Sequence, residues 1–165
     1  MTGFDKYHKN RHAVYLLHYH LVVVTKYRHP VIDGNIKDRL IFLSHEIIEG
    51  HWKGEILEIN TDHDHVHILF EVSPQTPLSK LINNYKTVTS RLIRKEFSEA
   101  LRPYYWKPYF WSDTYFISSV SDTSQKMIEH YIRSQGKKAD AFPAQIKDYG
   151  RGMRRQLIQR TSSDH

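Results

Sequence analysis

Only four residues, Thr61-Asp62-His63-Asp64, separate two β-rich runs at 54–60 and 65–72. A link that short leaves room for antiparallel pairing and little else, so the segment predicts a β-hairpin. The second run begins His65-Val66-His67-Ile68-Leu69-Phe70. Side chains alternate along a strand, so His65 and His67 share one face, about 6–7 Å apart along the backbone, while Val66 and Ile68 face the other way. Two imidazoles side by side on a rigid strand make half a site for a divalent ion.

The rest of the chain supplies partners for this hairpin. Residues 13–25 are rich in β-branched and aromatic types and read as a first strand, followed by a basic turn at 26–30. Residues 35–50 carry Ile36, Leu40, Leu43, Ile47 and Ile48 at helical spacing, with Gly50 as the stop. Residues 78–97 predict the longest helix. Its apolar face is Leu78, Leu81, Ile82, Tyr85, Val88 and Leu92, and its opposite side holds Lys80, Arg91, Arg94 and Lys95. After an aromatic-rich stretch at 103–116, residues 115–120 form a fourth strand. Asp122 or Thr123 then caps a last helix that runs through Gln135 and is closed by Gly136. The order βαββαβα predicts an α+β, split-βαβ sandwich: an antiparallel sheet with helices on one face, plus a C-terminal helix. At 165 residues this is one domain, 1–136. Residues 137–165, with seven Lys or Arg against three Asp, form a basic tail.

Charge narrows the partners. A formal charge of +6 and a sequence pI near 9.4 favour polyanions, and aromatic rings interleaved with Lys and Arg suit unstacked bases better than an intact duplex. The basic stripe Lys80, Arg91, Arg94 and Lys95, with Lys26 and Arg28 of the turn, supplies candidate contacts to nucleic acid. A mean hydropathy of -0.61 and the lack of a long apolar run exclude a helical membrane span. No apolar leader opens the chain and there are no cysteines, which fits the reducing cytoplasm.

Tyr131 and Gln135 lie four apart in the last helical run, so they stack on one helix face. An ion on the histidine strand, with a phenol and an amide on a helix, suits an enzyme that attacks phosphorus through tyrosine. Mg²⁺ prefers oxygen ligands, so the Gln135 side-chain oxygen and phosphate oxygens would complete a shell that two imidazoles begin; Mn²⁺ is more at ease among nitrogens. A phenol with an ordinary pKa near 10 is a weak nucleophile at neutral pH and needs an ion or a base beside it. A phosphotyrosine bond conserves the energy of the broken phosphodiester. Rejoining then needs no ATP, and the chain has no phosphate-binding G-x-x-x-x-G-K-[ST] loop.

These motifs resemble a known family. Asp64-His65-Val66-His67-Ile68-Leu69 is similar to the HUH motif of the small single-tyrosine transposases of the insertion-sequence 200/605 type. Tyr19-His20-Leu21-Val22 with Lys26-Tyr27-Arg28-His29 resembles that family's first strand and turn. Phe110-Trp111-Ser112 before Tyr115-Phe116 resembles the approach to its fourth strand, and Tyr131-x-x-x-Gln135 its nucleophile helix. The resemblance spans roughly 13–136. It implies an RRM-like fold and a homodimer that cuts and rejoins single-stranded DNA at element ends, through a 5′-phosphotyrosine, after recognising hairpins. It further implies that His65, His67 and Gln135 hold the ion, that Tyr131 attacks, and that a tyrosine helix can complete the partner subunit's site. Two positions depart from the family pattern: His63 stands where proline is usual, and Asp113-Thr114 where Pro-Ser is common.

A lone H-x-H on a strand is more often a surface or hydrogen-bonded pair than a metal site, and a helix tyrosine is usually a packing residue. The conjunction of the two is what points to catalysis. His18 and His20 share a face of the first strand and read as hydrogen-bonded sheet histidines. Two other functions compete. One is a non-catalytic RRM-like nucleic-acid binder, which would carry stacking aromatics where His65 and His67 stand. The other is a replication- or relaxase-type HUH nuclease, or a host-adopted relative that processes repeated hairpins.

Overall fold

A computed structural model of the chain describes residues 8–9, 14–15, 17–120 and 125–135. In chain order the elements are β1 (His8–Lys9), β2 (Val14–Tyr15), β3 (His18–Val24), α1 (Gly34–His45), β4 (Glu55–Asp62), β5 (His65–Glu71), α2 (Leu78–Glu96), α3 (Ser98–Leu101), β6 (Phe116–Ser119) and α4 (Gln125–Ser134). β3 to β6 form one sheet in the order β4-β5-β3-β6, antiparallel at every junction. This is the split-βαβ arrangement expected from the sequence. The first strand is shorter than the 13–25 run: Val14–Tyr15 pairs instead with His8–Lys9 in a separate two-stranded ribbon. The expected caps at Asp122 or Thr123, the stop at Gly136 and the tail 137–165 lie outside the described residues.

The two sheet faces are chemically distinct. On one, Leu21, Val23, Val66, Ile68, Phe70 and Ile117 pack beneath α1 and α2 as a single core with Leu40, Ile48, Leu81, Ile82, Tyr85 and Ile93. Each large side chain fully buried there contributes about 1.5–3 kcal/mol relative to an exposed one. Tyr85 is the largest of them. Its hydroxyl sits 2.8 Å from the Ser44 Oγ, so its one polar atom is satisfied at the α1–α2 contact.

Helix α1 starts where the Asp33 carboxylate accepts the Gly34 N–H at 2.8 Å. It widens into a π-helical turn over Glu46–His51 before β4. Gly54 is fixed by space: a Cβ there would lie 2.8 Å from the Glu71 carbonyl oxygen, with Ile48 and Val72 close behind. The absence of a side chain lets the turn close against the end of β5.

The opposite face carries the polar rows. Val24, His65 and Asp62 are cross-strand neighbours, as are Val22, His67 and Asn60, and then His20, Leu69 and Glu58. Helix α4 lies on this face. Its Ile128 and Tyr131 pack on Val22 and Val24, with Phe116 and Ile132 at the edge.

Candidate active site

His65 and His67 project together from β5 onto the face that α4 covers, as the period of two predicts. The two rings are held differently. His65 Nδ1 is 2.8 Å from Asp64 Oδ1, so the carboxylate draws the ring proton to Nδ1 and leaves Nε2 able to bind an ion. His67 Nε2 is 2.8 Å from His20 Nδ1, which makes these two imidazoles a half-buried pair on neighbouring strands. Burial lowers the pKa of both. For His67 the neighbouring His20 and His65 add to that, and Glu58 opposes it in each case.

Asp64 is itself held. The Arg28 guanidinium donates through Nε to Asp64 Oδ2 at 3.0 Å and through Nη1 to the Arg133 carbonyl of α4 at 3.4 Å. Burial alone would raise the Asp64 pKa, but its bonds to His65 and Arg28 together bring it below the ordinary carboxylate range. Arg28 reaches this position because Tyr27 and Arg28 both take left-handed backbone, with φ of 59° and 55°. Such conformations cost about 1–3 kcal/mol each and persist only where neighbours enforce them. Here Lys26 N–H donates to the Phe110 carbonyl, Arg28 N–H to the Thr25 carbonyl, and Thr25 N–H to the Asp64 carbonyl.

Tyr131 is 6% exposed and stacks at 5.4 Å on Phe116. Its hydroxyl lies 3.2 Å from Thr114 Oγ1, whose own proton is directed to Gln135 Oε1 at 3.4 Å. Either hydroxyl can donate in the bond between Tyr131 and Thr114. Tyr131, Thr114 and Gln135 therefore form one hydrogen-bonded chain. The backbone of Thr114 is fixed from the far side of the sheet. Lys86 Nζ, half-buried on α2, donates to the Ser112 carbonyl at 2.8 Å and the Thr114 carbonyl at 3.3 Å. Burial lowers the Lys86 pKa, with Asp113 opposing that shift and Lys26 adding to it.

The donor set suits a hard divalent ion. Ligand atoms of Asp62, Asp64 and His65 all lie within 4.8 Å of one another, which supplies oxygens beside an imidazole. Asp62 was not among the ligands expected from the sequence. It qualifies because the hairpin register sets it directly across from His65. Lys26 and Arg28, expected to meet nucleic acid, are engaged within the fold: Lys26 pairs with Asp113 at 3.2 Å and Arg28 with Asp64. On α2, Lys80, Arg91 and Lys95 are exposed and Arg94 is half-buried.

Thr114, His20 and Lys86 were not legible as site residues. Thr114 is 17 positions from Tyr131 with no periodicity to link them, and Lys86 resembles any other helix lysine until the 112–114 loop folds over it.

Comparison with known proteins places the chain in a family. Residues 13–135 match the family model described as IS200-like transposases. The chain is 31% identical over 127 residues to the ISDra2 transposase TnpA of Deinococcus radiodurans, covering 77% of this chain and 89% of that protein. It is 29% identical to the transposase for insertion sequence element IS200 of Salmonella typhimurium, covering 71% and 75% respectively. A crystal structure of a candidate transposase from Deinococcus radiodurans R1 superposes with a TM-score of 0.71 at 29% identity, over 78% of this chain and 97% of that one. The chain is therefore a member of the IS200-like transposase family, a class of DNA-cleaving enzymes.

Proposed function

We propose that the chain cleaves and rejoins single-stranded DNA at insertion-sequence ends, with Tyr131 as nucleophile and a 5′-phosphotyrosine intermediate. One observation carries the reading: the Tyr131 helix packs on the sheet face that bears His65 and His67, and the tyrosine hydroxyl shares a hydrogen-bonded chain with Gln135.

In the forward step the Tyr131 oxygen forms a bond to phosphorus and the bond from phosphorus to the 3′ oxygen breaks. The phenol proton leaves toward Thr114 and solvent, and the departing 3′ oxygen takes a proton as it becomes a hydroxyl. The reverse attack by a 3′ hydroxyl joins strands and frees the tyrosine.

His65, His67 and Gln135 would hold Mg²⁺ or Mn²⁺; Asp62, across the hairpin from His65, offers a further carboxylate oxygen, while Asp64 is engaged by His65 and Arg28 and His67 Nε2 by His20. When bound, such an ion polarises a non-bridging phosphate oxygen and neutralises developing charge. The protein's own residues prepare the site. Asp64 sets the His65 tautomer, Arg28 holds Asp64 and the end of α4, and Thr114 aims the phenol.

The family resemblance supports a homodimer, hairpins at element ends as recognition features, and a catalytic unit of residues 1–136 followed by a basic tail. Lys80, Arg91, Arg94 and Lys95 on α2 are the proposed backbone contacts. An RRM-like binder is disfavoured because the central strands carry His18, His20, His65 and His67 on the face that α4 packs against, where base-stacking rings would be needed.

The test is incubation with a labelled single-stranded oligonucleotide carrying an element end, with Mg²⁺ or Mn²⁺, followed by a denaturing gel. The reading predicts a covalent protein–DNA band that depends on the ion. Binding without any such band under either ion would leave only the nucleic-acid-binding alternative.

A further inference from the structure

On the α1–α2 side of the sheet, across from His65 and His67, two open cavities of about 330 and 500 Å³ share Arg94, Pro108 and Tyr109 as walls and so form one trough. One end is marked by Trp106, 74% exposed, and the other by Ser112 and Asp113. We propose that this trough is a second DNA site that seats an unpaired stretch of the substrate strand, with a base stacked on Trp106 and phosphates on Arg91, Arg94 and Lys107.

Charge and shape select this occupant. Arg91 and Arg94 line the α2 wall, while the Lys107 ammonium sits 4.6 Å from the Trp106 ring centre, where it can meet the phosphate of a stacked nucleotide. The acidic groups nearby are offset: Asp113 pairs with Lys26 and Glu99 with Arg102. At 74% exposed, the Trp106 ring is open to a base, and every base offers it a π-face. Tyr109 braces the ring edge-on at 6.1 Å, so the platform is held in place before any base arrives.

The trough also leads to the reaction centre. Its last residues, Ser112 and Asp113, precede Thr114, which holds the Tyr131 hydroxyl, and Lys86 ties that loop to α2. A strand lying in the trough is thereby delivered to the loop that aims the nucleophile. Residues on α2 and at 106–109 would then choose how the substrate strand is threaded, while the histidine face carries out the chemistry.

The inference rests on the strand-transfer reading, and the two are tested separately. Affinity is measured by fluorescence anisotropy without divalent ion, on the full chain, for an unpaired mixed-sequence oligonucleotide and for a fully paired hairpin stem. Trp106→Ala is expected to weaken binding of the unpaired strand by about 5- to 150-fold, the range for loss of one base–aromatic stack, with Trp106→Phe restoring most of it. Stem binding is expected to stay unchanged. Arg91→Ala and Arg94→Ala should each reduce the log–log salt slope by about 0.7. Unpaired-strand affinity unmoved by Trp106→Ala overturns the proposal, as does an equal loss on the stem. Adduct formation by the wild-type chain reads the strand-transfer hypothesis independently: adducts with a neutral Trp106→Ala sink the trough alone, and Trp106-dependent binding without adducts sinks the chemistry alone.

Discussion

The Thr114 hydroxyl sits 3.2 Å from the Tyr131 hydroxyl and donates to Gln135 at 3.4 Å, so one small side chain sets both the proposed nucleophile and the proposed amide ligand. Thr114→Val keeps the shape and removes the bond. It should slow covalent adduct formation by about 10- to 100-fold, the scale of a misplaced reacting group, while single-strand affinity holds. Thr114→Ser should restore the rate. Single-turnover gels measure this, and a Val variant as fast as wild type would show that the phenol needs no such guide.

Asp64 fixes the His65 tautomer and is itself fixed by Arg28. Asp64→Asn should weaken Mn²⁺ binding by about 10- to 100-fold, as loss of an outer-shell partner to a ligating histidine does elsewhere. Calorimetric titration of the variant tests it. Unaltered affinity would place the ion away from His65.

His20 and His67 share a half-buried hydrogen bond, and burial holds both below the ordinary histidine value of 6.5. The unfolded chain takes up protons on these residues below that value while the folded chain resists. Their contribution to stability is therefore present above pH 6.5 and is lost as pH falls from there toward the folded pKa values. Denaturant midpoints of the ion-free protein should drop between pH 7 and pH 5.5, and less steeply in His20→Ala. A midpoint that rises on acidification would contradict the half-buried pair.

Gly54 has no room for a Cβ, which would stand 2.8 Å from the Glu71 carbonyl oxygen. Gly54→Ala should cost about 1–3 kcal/mol, the usual penalty for overpacking. Chemical denaturation measures it, and a neutral result would mean that the turn before β4 can move aside.

Much of this was readable from residue order because the signals were local. The short link at 61–64 pointed to the hairpin, although β4 runs on to Asp62 and only His63 and Asp64 make the turn; strand period placed His65 and His67 together, and helical spacing placed Tyr131 near Gln135. The failures were contacts between distant segments. Nothing local joins Lys86 to Ser112, Thr114 to Tyr131, or His20 to His67, because each depends on the order β4-β5-β3-β6 and on loops closing over it. Asp62 was passed over because its value comes from register across the hairpin rather than from a motif. The first strand ran long in the reading because Val14 and Tyr15 are β-forming types that pair instead with His8–Lys9 in the small ribbon.

The account turns on which oxygen meets phosphorus. Eleven tyrosines are present, so peptide mapping of the protein–DNA adduct by mass spectrometry, with Tyr131→Phe run in parallel, separates them. The nucleotide mass should fall on the α4 peptide containing Tyr131, and the Phe variant should bind single-stranded DNA without forming an adduct. Nucleotide on any other tyrosine, or an adduct that survives in Tyr131→Phe, would contradict the account.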